Sequence, residues 1–230
     1  MITTQKQVLG LVTIGQSPRD DVMPQLLPFL PGDVAVQQMG ALDGLTRDQI
    51  QALAPGPDDY VLHTRLRDGS PVTIGREPIV SRVQACIDEL EEAGANPILL
   101  LCTGQFPELR SQGLLVEPDH LLVHLVCGLK VRRLGVMVPL ASQIGELTEK
   151  WAAIEADVSF AAASPYADQA EVAHAARMLG GMELDLVVMD CIGYTRLHKR
   201  AVSQATRRPV ILASSAVGRV VGEMLDGGDH

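Results

Sequence analysis

Two cysteines carry the strongest chemical signal in this chain of 230 residues. Cys102 follows Asn96-Pro97-Ile98-Leu99-Leu100-Leu101 and precedes Thr103-Gly104, while Cys191 follows Leu184-Asp185-Leu186-Val187-Val188-Met189-Asp190 and precedes Ile192-Gly193. Each thiol therefore ends a short apolar run and stands two residues ahead of a glycine, which lets the backbone turn sharply and aim N–H groups into a cleft. Such runs read as strands buried on both faces of a parallel sheet, and parallel sheets bind ligands at the carboxyl ends of their strands. A thiol placed there, at a helix N-terminus, ionises more easily than a free thiol near ~8.5. If two such thiols face one another, one thiolate takes a proton from a carbon beside a carboxylate and the opposite thiol returns one to the other face. The outcome is an inverted stereocentre or a shifted double bond.

The elements around the cysteines repeat. Residues 8–14 form an apolar strand leading into Gly15-Gln16-Ser17-Pro18-Arg19, where Ser17 is suited to cap a helix with Pro18 in its first turn. Gly10 and Gly15 have P-loop spacing, but Gln16 stands where the lysine is needed, so a nucleotide phosphate is not expected. A second strand follows at 34–39, then the capping box Thr46-x-x-Gln49, a hairpin at 60–66 and 71–74, and a helix at 76–93 stopped by Gly94. After the strand into Cys102, a helix covers 118–127. From 131 the pattern restarts: a strand at 133–138, a helix capped by Ser142 and ending at Trp151, and a strand at 158–162. A helix opened by Asp168-x-x-Glu171 comes next, then the strand into Cys191, a helix at 194–205, a strand at 209–213 and a last helix capped by Ser214 or Ser215. The sequence thus reads as two βα halves, residues 1–128 and 129–212, the first enlarged by an insertion at about 42–75. The last helix, 213–225, is placed to pack back on the first half. Two halves related by a pseudo-twofold axis, with strand ends sharing one cleft, bring Cys102 and Cys191 together.

Composition narrows the partners. Hydrophobic residues make up 47% and charged residues 20%, which suits a well-buried core. A formal net charge of −9 and an aromatic share of 3% argue against nucleic acid and an anionic membrane as partners. The start, Met1-Ile2-Thr3-Thr4-Gln5-Lys6-Gln7, lacks a signal-like apolar stretch, so a cytoplasmic setting with reduced thiols is expected. No C-x-x-C spacing points to zinc, and although His120 and His124 are spaced as ligands on a helix, Leu121 replaces the glutamate of a zinc-protease motif, so no metal is expected. Cys86 and Cys127 fall on apolar helix faces and are read as packing residues. Asp190 is read as a buried hydrogen-bonding group, and Tyr194 and His198, one turn apart, are placed either to line the cleft or to pack, with packing favoured. Arg19 divides evenly between site and surface.

Four stretches together carry a family resemblance: Thr13-Ile14-Gly15-Gln16-Ser17-Pro18-Arg19, Thr64-Arg65-Leu66-Arg67-Asp68-Gly69, Leu100-Leu101-Cys102-Thr103-Gly104 and Met189-Asp190-Cys191-Ile192-Gly193-Tyr194. They resemble the AroM family over essentially the whole chain, within the aspartate/glutamate racemase superfamily. That resemblance implies two pseudo-symmetric α/β domains with a cleft between them and a cysteine from each acting as acid and base. Amino-acid racemases of the superfamily carry Cys-Asn-Thr and Gly-Cys-Thr at these points; here Thr103-Gly104 and Asp190-Cys191-Ile192 stand instead, which turns the expectation from amino acids to other small carboxylates. Gln16, Ser17, Arg19, Thr103, Gly104, Gly193, Tyr194, Ser214 and Ser215 are the expected binding groups. The expected function is a cofactor-independent isomerase, racemase or decarboxylase. A non-catalytic metabolite-binding protein is the alternative, and a redox-active cysteine pair is a third reading. Assembly into a homo-oligomer is compatible with all three.

Overall fold

The structure, a computed structural model, describes residues 7–107 and 109–227; the N-terminal stretch 1–6 lies outside the described residues. Two four-stranded, all-parallel sheets form the framework. The first consists of β1 (Val8–Thr13), β2 (Ala35–Gly40), β5 (Ile98–Leu100) and β6 (Leu115–Val116), in the order β2-β1-β5-β6, while β3 (Val61–Arg65) and β4 (Pro71–Gly75) pair outside it as a separate antiparallel ribbon. The second contains β7 (Arg133–Val138), β8 (Asp157–Ala162), β9 (Leu186–Met189) and β10 (Val210–Leu212), in the order β8-β7-β9-β10. In each half the first strand is central, the second lies on one side and the third and fourth on the other, so the two sheets repeat one topology. The fold is the expected pseudo-symmetric α/β arrangement.

Helices follow the strands. They are α1 (Met23–Leu26), α2 (Arg47–Gln51), α3 (Val80–Glu92), α4 (Pro118–Leu129), α5 (Ile144–Trp151), α6 (Gln169–Gly180), α7 (Arg196–Thr206) and α8 (Ala213–Leu225). Strand alternation divides their environments. Leu9 and Leu11 of β1, with Leu134, Val136 and Val138 of β7, enter one central core shared with α4, α5 and α8. On the opposite faces Val12 packs toward α3 and Met137 toward α6. The matching positions Gly10 and Gly135 let those helices approach: a Cβ on Gly135 would lie 3.4 Å from Leu179 Cδ2 of α6, and one on Gly10 3.3 Å from Leu90 Cδ1 of α3. The last helix, α8, packs on α1 and the turn after it, with Gly218 against Leu26 and Phe29 and the Arg219 guanidinium 4.4 Å from the Phe29 ring centroid.

Several ends differ from the expectation. Pro18 does not open a helix; α1 begins at Met23, because Ser17 is drawn onto Asp43. Gly128 lies inside α4, which ends only where Lys130 takes a left-handed backbone (φ 50°). Cys127, near that free end, is exposed rather than packed. Ser214 and Ser215 are first-turn residues of α8 and not its cap, since the helix starts straight from β10 at Ala213. Ser142 falls in a short 3-10 turn, and Gln143 instead accepts from the Leu140 N–H. Thr46 and Asp168 cap their helices as read from sequence.

Candidate active site

The carboxyl ends of β1, β5, β7 and β9 converge on one cavity, which both Cys102 and Cys191 line. The enclosed space is about 30 Å³, room for about two waters. Its roof is the hairpin: Leu62 and Thr64 of β3 face inward, and His63 also lines the space. Three bonds fasten the roof to the second half. The Val61 N–H donates to Glu146 Oε1 at 3.2 Å, Gln143 Nε2 donates to the Val61 carbonyl at 2.9 Å, and His63 Nε2 meets Ser164 Oγ at 2.9 Å.

The residues beside the thiols bind each other directly. Thr103 Oγ1 donates to the Asp190 carbonyl at 3.1 Å. Lys150 Nζ, on α5, donates to the Thr103 carbonyl at 2.8 Å and to both Asp190 carboxylate oxygens at 2.9 Å. Trp151 Nε1 adds a fourth bond, 2.8 Å to Asp190 Oδ2. The Lys150 and Asp190 side chains are 1% and 0% exposed, so this is a buried ion pair whose four hydrogen bonds compensate the loss of solvent. It joins the strand end carrying Cys102 to the one carrying Cys191.

Cys102 is not at a helix N-terminus; a loop and β6 follow it. Its sulfur accepts instead from the Gly104 N–H at 3.3 Å, and the Gly193 N–H bonds Cys191 in the same manner. These bonds favour the thiolates, but burial outweighs them. Burial pushes Cys102 up to about 12, with the nearby Cys191 adding to the rise, and pushes Cys191 up to about 11. Both are free thiols. Cys191 lies where the Arg19 charge favours its ionisation, and Cys102 close enough to Tyr60 for their charges to interact.

Arg19 is buried and lines the cavity, but most of its donors are already occupied. Its Nε and Nη2 hold Asp21 at 2.8 Å each, Nη1 donates to Thr13 Oγ1 at 3.0 Å and Nη2 also to Tyr166 Oη at 3.1 Å. Burial and the Arg19 hydrogen bond with its charge act on these neighbours in opposite senses: Asp21 is held below the usual carboxylate range, whereas burial raises the Tyr166 phenol. Burial likewise lowers His63.

Of the other expected binding groups, Thr103, Gly104 and Gly193 line the cavity. Gln16, Ser17, Tyr194, Ser214 and Ser215 do not. Gln16 is bonded to Leu42 and Arg67, and Ser17 Oγ donates to Asp43 Oδ2 at 2.5 Å. Tyr194 is fully buried with its hydroxyl on the Ala163 carbonyl at 2.6 Å, and Ser214 Oγ sits 3.4 Å from the Tyr194 carbonyl. His198 completes the Thr195 cap of α7 through its Nδ1 at 3.2 Å. Residues not singled out from sequence are Tyr60, His63, Gln143, Glu146, Lys150 and Tyr166, and Thr64 is noted only within a family stretch. A buried lysine has no sequence mark, since lysine is normally a surface residue. Tyr166 had a weak one: it follows β8, and loops at strand carboxyl ends line such clefts.

Glu117, Asp119 and His120 bring ligand atoms within 4.8 Å of one another at the start of α4; none of them lines the cavity, although Asp119 is close enough to Cys102 for its charge to raise that thiol. Among the described residues no helix is long and apolar enough to cross a membrane.

No curated protein matches the sequence significantly. Among solved structures, allantoin racemase from Klebsiella pneumoniae is similar at TM-score 0.66 and 12% identity, covering 95% of this chain and 87% of its own. Maleate cis-trans isomerase from Nocardia farcinica, as a mutant with a covalently bound succinylcysteine intermediate, gives 0.61 at 20% identity, covering 96% and 93%. Unliganded arylmalonate decarboxylase gives 0.61 at 15% identity, covering 97% and 94%. These likenesses are of fold. The family model described as AroM protein matches residues 9–225, and the chain accordingly belongs to the AroM family, built on the fold of the aspartate/glutamate racemase superfamily.

Proposed function

We propose that the chain is an isomerase or racemase, or a decarboxylase, that moves a proton on a small carboxylic acid between Cys102 and Cys191. The observation that supports this most directly is that both thiols line one cavity while their neighbours Thr103 and Asp190 are bonded to each other. Cys191 is the better base, because burial leaves it at about 11 against about 12 for Cys102 and the Arg19 charge favours its thiolate. It removes the proton next to the carboxylate, and the electron pair left on carbon delocalises onto the carboxylate oxygens. Tyr166, whose hydroxyl oxygen accepts from Arg19, keeps its own proton for a carboxylate oxygen. Cys102 then delivers its proton to the opposite face. With loss of carbon dioxide in place of the first proton transfer, the same delivery by Cys102 completes a decarboxylation. The names of the similar structures, a racemase, a cis-trans isomerase and a decarboxylase, fit this range.

The test is exchange of the α-proton into deuterated water over a panel of small acids, with Cys102→Ser and Cys191→Ser beside the wild type. Loss of exchange in either variant supports the reading. Binding that persists in both variants, without exchange in the wild type, supports the second reading of a metabolite-binding protein. That reading draws on the raised thiols and on an arginine already occupied by Asp21.

A further inference from the structure

Buried polar side-chain atoms normally have hydrogen-bond partners, so the exceptions are informative. Among the described residues two such atoms have none, Thr64 Oγ1 and Glu146 Oε2. Both belong to the wall of the cysteine cavity. The hydroxyl of Thr64, on a residue 1% exposed, is part of the roof, and Glu146 stands in the first turn of α5. Glu146 is held in one orientation because its Oε1 accepts from the Val61 N–H, which leaves Oε2 with no bond of its own. Val61 and Thr64 are three residues apart on β3, about 10 Å along an extended strand. The unmatched atoms thus mark two ends of a small elongated site. The Thr64 end lies beside His63, whose ring is 5.3 Å from that of Tyr166.

Resting on the carboxylic-acid reading above, we propose that the substrate is a bifunctional acid: a carboxylate received by the hydroxyls of Thr64 and Tyr166, and at the other end a neutral N–H donor received by Glu146 Oε2. A carboxylate oxygen accepts but does not donate, so its partner must carry hydrogen. Burial raises the Glu146 carboxyl, and the Arg76 guanidinium, which binds the Gln105 carbonyl at 3.1 Å, already acts on it with its charge and disfavours an ammonium group there. A neutral amide or ureido N–H meets the requirement without charge repulsion. A second carboxylate in that position would face Glu146 directly.

The test uses matched acids, the mono-amides and monomethyl esters of malonate, succinate and glutarate, titrated calorimetrically into the whole protein. Amide and ester have nearly the same shape, but only the amide donates. At the best length the amide should bind roughly ten- to a hundredfold tighter than its ester. Glu146→Gln should abolish that preference: the Val61 N–H still needs an acceptor, so the glutamine oxygen takes the Oε1 position and its NH₂ replaces Oε2, a donor that the carbonyls of amide and ester both satisfy. Thr64→Val, of the same shape, should weaken both acids several-fold, and Thr64→Ser should restore them. If Glu146→Gln does not fold, the Thr64 pair and the wild-type ratio still decide. Equal affinity for amide and ester at every length, an unchanged ratio in Glu146→Gln, or no binding by any member would overturn the proposal and assign the two atoms to buried water. Deuterium exchange on the bound amide separates this from the catalytic reading. Amide preference without exchange removes only the proton-transfer chemistry, and exchange without preference removes only the Glu146 assignment.

Discussion

Replacing Lys150 by methionine removes the cation that joins the two cysteine-bearing strand ends while roughly keeping the side-chain volume. Asp190 would then keep one of its three side-chain bonds, that from Trp151 Nε1, with its carboxylate 0% exposed. Removing one partner of such a pair costs about 3–5 kcal/mol, because the other charge stays buried without compensation. For a chain of this length each kcal/mol corresponds to about 2–4 °C in Tm, so Lys150→Met should melt on the order of 6–20 °C below the wild type. The double variant Lys150→Met/Asp190→Leu removes both charges and should recover most of that loss, giving a coupling of about 2 kcal/mol or more in a double-mutant cycle. Differential scanning calorimetry at neutral pH measures Lys150→Met, Asp190→Leu and the double variant. A fall of less than about 2 °C in Lys150→Met, or a double variant no more stable than the sum of the single losses, would refute the reasoning. The lysine would then be an incidental contact and not the tie across the cavity.

Alkaline stability should reflect the buried thiols. Cys86 and Cys191 sit at about 11 and Cys102 at about 12 in the fold, against about 8.5 unfolded, so the native state holds these protons more tightly. Their contribution is complete below about pH 8.5 and is lost as pH climbs through about 11–12; a Tm that does not fall between pH 9 and 11 would contradict this. At neutral pH a brief treatment with iodoacetamide should label Cys127 alone, since it is the exposed cysteine and the Cys191 thiolate fraction is on the order of 10⁻⁴; mass spectrometry reads the site. Tyr166→Phe removes the partner of a buried guanidinium and should cost about 1.5–3 kcal/mol, with a parallel loss of α-proton exchange if the phenol holds the carboxylate. Gly222→Ala places a methyl on the Phe29 carbonyl oxygen, and should destabilise by about 1–3 kcal/mol in thermal unfolding; an unchanged Tm would mean that α8 does not need its close seat on the first half.

The strands, most helix positions and the pairing of the two Cys-x-Gly turns could be read from residue order, because burial on both faces demands continuous apolar runs and caps demand particular side chains within three residues. The identity of the two thiols as neighbours followed from the repeated topology. What could not be read were contacts between distant positions. Arg19 and Tyr166 meet across 147 residues, His63 and Ser164 across 101, and Lys150 and Asp190 across 40. None has a local pattern, since each depends on how sheets, hairpin and helices dock. Ser17 shows the same limit from the other side: its sequence suits a helix cap, yet the carboxylate of Asp43, brought close by the pairing of β1 with β2, takes its hydroxyl. Local chemistry therefore dictated which segments form and where their ends carry thiols. The Lys150–Asp190 pair arose when α5 docked beside the end of β9, and the Lys150–Thr103 bond, the fastened roof and the unmatched oxygens of Thr64 and Glu146 arose when the two halves packed, because burial is what makes an ion pair, a latch or an unsatisfied acceptor energetically consequential.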